Sequence, residues 1–481
     1  MNFEAVIGLE IHVEMKTKSK MFSAGPINFS DEANTDVVPL DMAFPGTMPV
    51  VNKEAVRNAI RICNALHMTI DHELWFDRKN YFYSDLPKGY QITQQERPIG
   101  SNGYLEIEID GKKKKIEIER LHMEEDTCKQ LHFSDYTLLD YNRAGIPLIE
   151  IVSRPVMRSG EEARKYVDKI RELVTFSNVS DGKMEEGSLR CDVNISLRPY
   201  GSDKFGTKVE IKNLNSIANI EKAIDFEIKR QSEMLFLGKD IQQETRRFDE
   251  AKKETVLMRV KTDAVDYKYF TEPNILPIQI DDSFIQDAID TCPELFDQKL
   301  ERFKKSYLLD DVDAKILINN PGFADFFEKI AVFSSNYVAI AKLLISDLMG
   351  YLNKENLTID SLKIEPKYFA ELVDLLKSNK VNSTQGKEIF AKLLKENKSP
   401  LLIKDEIGAS LIDDESSIIS IIQRILINNP TLIDDFKAGK TRVQGFIMGQ
   451  IMKETKGKVN PAVANKLIIK ELNKWFSISK L

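Results

Sequence analysis

Val6-Ile7-Gly8-Leu9-Glu10-Ile11-His12-Val13-Glu14-Met15 alternates with a period of two: apolar residues at 7, 9, 11, 13 and 15, and Glu10, His12 and Glu14 between them. A strand turns successive side chains to opposite faces, so one face can enter a core while two carboxylates and an imidazole line the other. Such a face suits a hard divalent cation. It equally fits an ordinary exposed strand face, so the reading depends on other acidic sites.

Two more follow. Leu121-His122-Met123-Glu124-Glu125-Asp126 is an acidic cluster that reads either as a ligand source or as a solvated turn. Pro147-Leu148-Ile149-Glu150-Ile151-Val152 sets a single carboxylate in an apolar run. Burying an unpaired carboxylate costs several kcal/mol, so Glu150 needs a cation, a hydrogen-bond network or a raised pKa, the ordinary reading being a salt bridge to Arg143 or Arg154. Oxygen ligands with at most one histidine favour magnesium or manganese over zinc. All five histidines fall at or before His132, and His67, His72, His122 and His132 each read individually as structural.

The 481 residues exceed one ordinary core, and a length prior gives about three domains. With 42% hydrophobic and 30% charged residues, the chain is expected to be soluble and globular. It shows no export signal and no run long enough to span a membrane, so a cytoplasmic protein is expected. Cys63, Cys128, Cys191 and Cys292 form no C-x-x-C pair. Only Cys128, near His122 and His132, offers the makings of a cysteine nucleophile. The net charge of −7 hides an asymmetry. Residues 437–481 hold ten basic and two acidic residues, a local net of +8, against −15 for the preceding 436. A basic end on an acidic body is the footprint of a phosphate-backbone partner, or else a solvated helix face.

Residues 1–292 read as mixed and strand-rich. Alternating strands flank Asp110-Gly111, a strong hairpin signal, and a second alternating pair covers 189–198 and 207–212. Helical spacing is predicted near 53–67, with Asn52 as cap, and over 160–176 and 216–237. After Cys292-Pro293 only helical patterns remain, including 293–308, 322–333, 335–352 and 366–377, and Asn460-Pro461 is expected to start a last helix. Gly439-Lys440-Thr441 has Asp434 where a Walker loop needs its first glycine, and no G-x-G-x-x-G follows a strand.

Several longer motifs then stand in order: 6–12, Asp77-Arg-Lys-Asn-Tyr-Phe-Tyr83, Pro87-Lys-Gly-Tyr-Gln-Ile-Thr-Gln94, 183–194 (Lys-Met-Glu-Glu-Gly-Ser-Leu-Arg-Cys-Asp-Val-Asn), Gln243-Glu-Thr-Arg-Arg-Phe-Asp-Glu250, 445–453 and 456–461. Together they closely resemble the B subunit of the aspartyl/glutamyl-tRNA(Asn/Gln) amidotransferases. The resemblance implies an α+β fold: a strand-rich, cradle-shaped kinase domain over 1–292, a helical domain over 293–405, and a small helical tail over 406–481 that binds tRNA. It implies phosphorylation, with ATP and Mg2+, of the side-chain carboxylate of Glu or Asp misacylated onto tRNA(Gln) or tRNA(Asn). Ammonia from an amidase-type A subunit then displaces the phosphate, and a small C subunit holds the other two together. The magnesium ligands map onto Glu10, His12, Glu125 and Glu150. Ser84, Cys128 and Arg154 depart from the family pattern; Cys128 stands where a glycine is usual, so a positive φ there would be strained.

Phosphoryl transfer also needs cationic side chains around the phosphates. Arg190, Lys208 and Lys212 are candidate ATP contacts, or else strand-face ion pairs with Asp192 and Glu210. Lys79 and Lys88 are candidates for the substrate carboxylate or the mouth of an ammonia channel. A phosphotransferase for small carboxylates and a non-catalytic tRNA adaptor are the competing function classes.

Overall fold

The structure is a computed structural model that describes residues 3–28, 32–260, 267–320, 322–409, 414–440, 442–455, 459 and 461–478. Lys456, Lys458, Asn460 and Lys480, and with them much of the motif at 456–461, lie outside the described residues. The chain forms two compact units, Met1–Phe296 and Asp297–Leu481.

The first unit is built on a nine-stranded sheet. Its strands are β1 (Phe3–Glu14), β2 (Thr69–Ile70), β3 (Gly100–Ile109), β4 (Lys112–Glu125), β5 (Pro147–Ser153), β6 (Leu189–Pro199), β7 (Val209–Lys212), β8 (Glu244–Asp249) and β9 (Glu254–Val260), in the order β9-β8-β7-β6-β1-β5-β4-β3-β2. Pairing is antiparallel except between β7 and β8, which the helix α3 (Ile217–Phe236) connects as a crossover. The quoted stretch is thus the central strand. Ile7, Leu9, Ile11 and Val13 are buried in one core with Ile60 of α1 (Lys53–Ala65), Tyr166 and Ile170 of α2 (Gly160–Phe176), and Ile220 and Ile224 of α3. Helices therefore cover the apolar face and leave Glu10, His12 and Glu14 on the other.

Local chemistry fixes the elements. Asn52 accepts the N–H groups of Glu54 and Ala55, and Ser159 and Ser216 cap α2 and α3 in the same way. At the β3–β4 hairpin Asp110 and Gly111 take φ of 49° and 73°, the two left-handed positions of a primed turn. A register shift is less visible in the sequence. Val152 pairs with Arg120, but Ser153 pairs with Ile118, so β4 carries one extra residue, Glu119, against β5. Ile116 and Ile118 face the core before this bulge, and Leu121 and Met123 after it. Cys128 takes no positive φ and donates its N–H to the Asp85 carbonyl at 3.0 Å, so no strain attends the missing glycine.

A small three-stranded sheet, with Asp77–Asn80 between Tyr90–Thr93 and Phe270–Thr271, belongs to the same unit. Asp77 accepts the N–H groups of Gln95 and Glu96, and Gln94 Oε1 accepts that of Met123, so both motif segments anchor this sheet to β4.

The described part of the second unit is helical. Pro366–Lys377 starts with its proline, as predicted. The predicted 335–352 helix is interrupted, with a π-helical turn at Leu343–Leu348 between Tyr337–Lys342 and Met349–Glu355. Helices from Glu415 onward share their own apolar cluster, including Ile418, Ile422, Ile447, Leu467 and Ile468. No described helix is long and apolar enough to cross a membrane.

Candidate active site

Antiparallel register turns the polar face into rows. Arg190, His12, Glu150 and His122 lie directly across from one another on β6, β1, β5 and β4. One row along, Asp192 faces Glu10, Glu10 faces Val152, and Val152 faces Arg120; on the other side Glu14, Leu148 and Glu124 align. Cross-strand neighbours on one face approach within side-chain reach. His12 Nε2 accordingly lies 3.4 Å from Glu150 Oε2 and 3.8 Å from Glu124 Oε1. His122 Nε2 lies 3.2 Å and 3.5 Å from the same two carboxylates.

His12, Glu124 and Glu150 each offer a ligand atom within 4.8 Å of the others. Two carboxylates and an imidazole in this arrangement fit a hard or borderline divalent cation. The charge state of the cluster supports that fit. Burial alone would raise Glu150, but His122 and His12 hold it well below the usual carboxylate range. Burial would lower both imidazoles, yet Glu150 and Glu124 outweigh it, raising His12 and pushing His122 up to about 9. Protonation of these imidazoles and binding of a cation would thus compete for the same place beside Glu150.

The expected residues divide. The structure brings His12 and Glu150 together, and Glu10 lies in the next row, where its carboxyl accepts from Asn194 at 2.8 Å and is raised by burial, Glu150 and Asp192. It does not bring Glu125 to these atoms. Glu125 is buried, accepts Lys88 Nζ on both oxygens at 2.6 Å and the Ile92 N–H at 3.0 Å, and so ties the 86–93 segment to β4. Glu124 and His122 stand in the cluster instead. The alternation His122-x-Glu124 was their signal, masked by the bulge at Glu119. The acidic cluster is no solvated turn: Glu124, Glu125 and Asp126 are 3%, 3% and 5% exposed. Arg143 and Arg154 pair with Asp126 and Glu117, not with Glu150.

Among the cations, Arg190 binds Asp126 at 2.6 Å, and Lys212 binds Asp192 and Glu210. Lys208 is exposed and lines a cavity of about 220 Å³ with Gly8, Glu10, Asn194 and Phe205. Lys79 lies over the rings of Tyr267 and Tyr81, 5.0 and 5.8 Å from their centroids. Glu14 shares a hydrogen bond with Asp126; burial and that neighbour push Glu14 up to about 9, while Arg190 and Arg143 outweigh burial and lower Asp126. Burial and Asp85 push the Cys128 thiol up to about 11, and His132 bonds Thr137.

Residues 5–286 match the family model described as the GatB/GatE catalytic domain, and residues 325–472 match that of the GatB domain. The chain belongs to the GatB family. It is 50% identical over 470 residues to the B subunit of the aspartyl/glutamyl-tRNA(Asn/Gln) amidotransferase of Mesoplasma florum, covering 98% of both chains. Identity to the protein of the same name from Oceanobacillus iheyensis is 46% over 474 residues, covering 98% of this chain and 100% of the relative. As a GatB protein the chain is a ligase, one subunit of an amidotransferase. All of the polar-face cluster falls within the matched catalytic domain.

Proposed function

We propose that this GatB chain activates the side-chain carboxylate of Glu on tRNA(Gln), Asp on tRNA(Asn), or both, by ATP-dependent phosphorylation. It would do so in a cytoplasmic complex with two partners, an amidase-type A subunit plus a small C subunit. The observation that carries the reading is the shielded cluster of His12, Glu124 and Glu150 on a sheet face otherwise lined by charge. A carboxylate cannot expel oxide. Its oxygen attacks the terminal phosphorus of ATP, the bond to the bridging oxygen breaks, and ADP leaves. Ammonia then attacks the acyl carbon, inorganic phosphate departs with the C–O bond electrons, and the nitrogen loses a proton.

His12, Glu124 and Glu150 would hold Mg2+, which when bound supplies neutralisation of phosphate charge. Glu10 lies in the adjacent row, and Glu125 would have to release Lys88 to take part. Burial and Asp126 raise Glu14 while Arg190 and Arg143 lower Asp126, which limits the negative charge on that side of the face. Lys208 and the cavity beside Glu10 offer room for the nucleotide, whereas Arg190 and Lys212 would contact phosphate only by leaving their carboxylates.

The cradle-shaped kinase domain (1–292), helical domain (293–405) and tRNA-binding tail (406–481) form part of the same proposal. Arg442, Lys453, Lys466, Lys470 and Lys474 are exposed on the tail helices. Removing 406–481 should raise the KM for aminoacyl-tRNA and lower the salt slope of binding by about 0.7–0.9 per lost phosphate contact.

The decisive experiment gives the assembled complex Glu-tRNA(Gln) and Asp-tRNA(Asn) separately and follows ATP cleavage and transamidation. Glu124→Gln and Glu150→Gln are expected to abolish both while glutamine hydrolysis persists. Full transamidation by either variant at limiting magnesium would remove that residue from the site.

A further inference from the structure

Past the bulge at Glu119, alternation puts Arg120 on the same face as His122 and Glu124. Its cross-strand neighbour is Val152, whose other neighbour is Glu10. Other arginines of this unit find carboxylates: Arg78 binds Glu272, Arg97 binds Asp71 and Glu73, and Arg190 binds Asp126. Arg120 does not. Its Nε is shut off from solvent without a hydrogen-bond partner, and among the described residues the side chain forms no ion pair.

Lys79 is the second such cation. It projects from Asp77–Asn80, lodges against Tyr81 and Tyr267, and likewise forms no ion pair or hydrogen bond among the described residues. The chain holds Tyr267 there by backbone pairing, the Asn80 N–H donating to the Tyr267 carbonyl at 3.0 Å. Both cations lie within electrostatic reach of Tyr269. Burial raises the Tyr269 phenol, the charges of Lys79 and Arg120 oppose that rise, and Glu150 adds to it. Glu124 and Glu150 in turn outweigh burial and raise Lys79.

We propose that Arg120 and Lys79 form an oxyanion-binding pair at the edge of the carboxylate–imidazole cluster. Arg120 offers a planar fork that matches phosphoryl or carboxylate oxygens, and Lys79 offers a point charge steadied by aromatic faces. An anion there lies between these cations and the cluster, the neutralisation that phosphoryl transfer requires. The inference rests on the kinase reading above; it adds Arg120, which the motif-based reading left out, and joins it to Lys79, which that reading gave to the substrate carboxylate or the channel mouth. The oxyanion has two sources: the terminal phosphate of the nucleotide, or the side-chain carboxylate of the aminoacyl-tRNA.

The test uses the assembled complex with Arg120→Gln, Arg120→Lys and Lys79→Gln, and with Glu150→Gln as a control for the kinase reading. Arg120→Gln and Lys79→Gln should each lower kcat/KM for tRNA-dependent ATP cleavage about a hundredfold, the scale of losing one preorganised oxyanion donor. Arg120→Lys, keeping charge but not the fork, should recover only part of it. Weaker binding of MgADP without tRNA assigns the pair to the nucleotide. Unchanged MgADP binding with a raised KM for aminoacyl-tRNA assigns it to the carboxylate. Wild-type values of both constants in folded Arg120→Gln and Lys79→Gln, while Glu150→Gln is inactive, would overturn the pair and leave the kinase reading standing. An active Glu150→Gln would overturn the kinase reading itself. If Arg120→Gln fails to fold, Lys79→Gln, on a different sheet, decides alone.

Discussion

Glu227, on the helix α3 that packs against the nine-stranded sheet, and Glu150, on the sheet's own strand β5, are carboxylates whose surroundings differ. Glu227 is fully buried and accepts from Arg230, Gln231 and Thr255, while Arg246 and Glu244 complete the network. Two guanidinium groups meet two carboxylates, and the charge closes without outside help. This gives the Gln243–Glu250 motif an architectural reason, since Glu244 and Arg246 tie β8 to α3. Around Glu150 the near partners are imidazoles, charged only when protonated, and the permanent cations Lys79 and Arg120 form no ion pair with it. A buried charge network that closes on itself holds the fold; one completed only by protons keeps a place for a ligand.

The same Glu→Gln substitution in the two clusters should therefore break different things. Glu150→Gln is expected to reduce tRNA-dependent ATP cleavage by the complex by about 10²–10³-fold or more, with only a modest fall in the thermal midpoint, since His12 and His122 can shed the protons that Glu150 helps to hold. A large fall in midpoint would mean that the site cluster is architectural after all. Glu227→Gln leaves Arg230 and Arg246 short of a carboxylate and should cost about 3–5 kcal/mol in denaturant unfolding, while the folded fraction keeps wild-type kcat. Lost activity at full stability would place that network in the chemistry.

The smallest effect is expected at Glu14. Its folded carboxyl is raised to about 9 from an ordinary 4.5, so the folded state keeps a proton that the unfolded chain releases. Stability from this group therefore falls as pH rises from 4.5 to about 9 and is level above that. Glu14→Gln should remove the dependence. Between pH 7 and 8 the variant ought to gain on its parent by at most about 1.4 kcal/mol, read from paired unfolding curves. A pH-independent difference would show that Glu14 does not keep its proton in the folded state.

Elements written in short-range pattern were legible without coordinates. The period of two in β1, the Asp110-Gly111 turn, and the cap Asn52 act within a few residues of themselves, so the sequence carries their physics directly. His12 and Glu150 were legible for the same reason: each is a polar residue alternating with apolar ones. The sequence by itself determined that the first strand would set a charged face opposite an apolar one and that Glu150 would need a partner. Which carboxylates meet was a matter of tertiary structure alone. Alternation continued from the β3–β4 hairpin would turn Glu125 to the polar face and Glu124 to the core. The extra residue at Glu119 reverses that, because shifting strand register by one residue exchanges the two faces. The same reversal brings Arg120 and His122 to the site. Lys79 is set there by the pairing of its strand with segments 90–93 and 270–271, the latter nearly two hundred residues away in the chain. No local pattern encodes such a contact, since its free energy arises only when the distant strands pack.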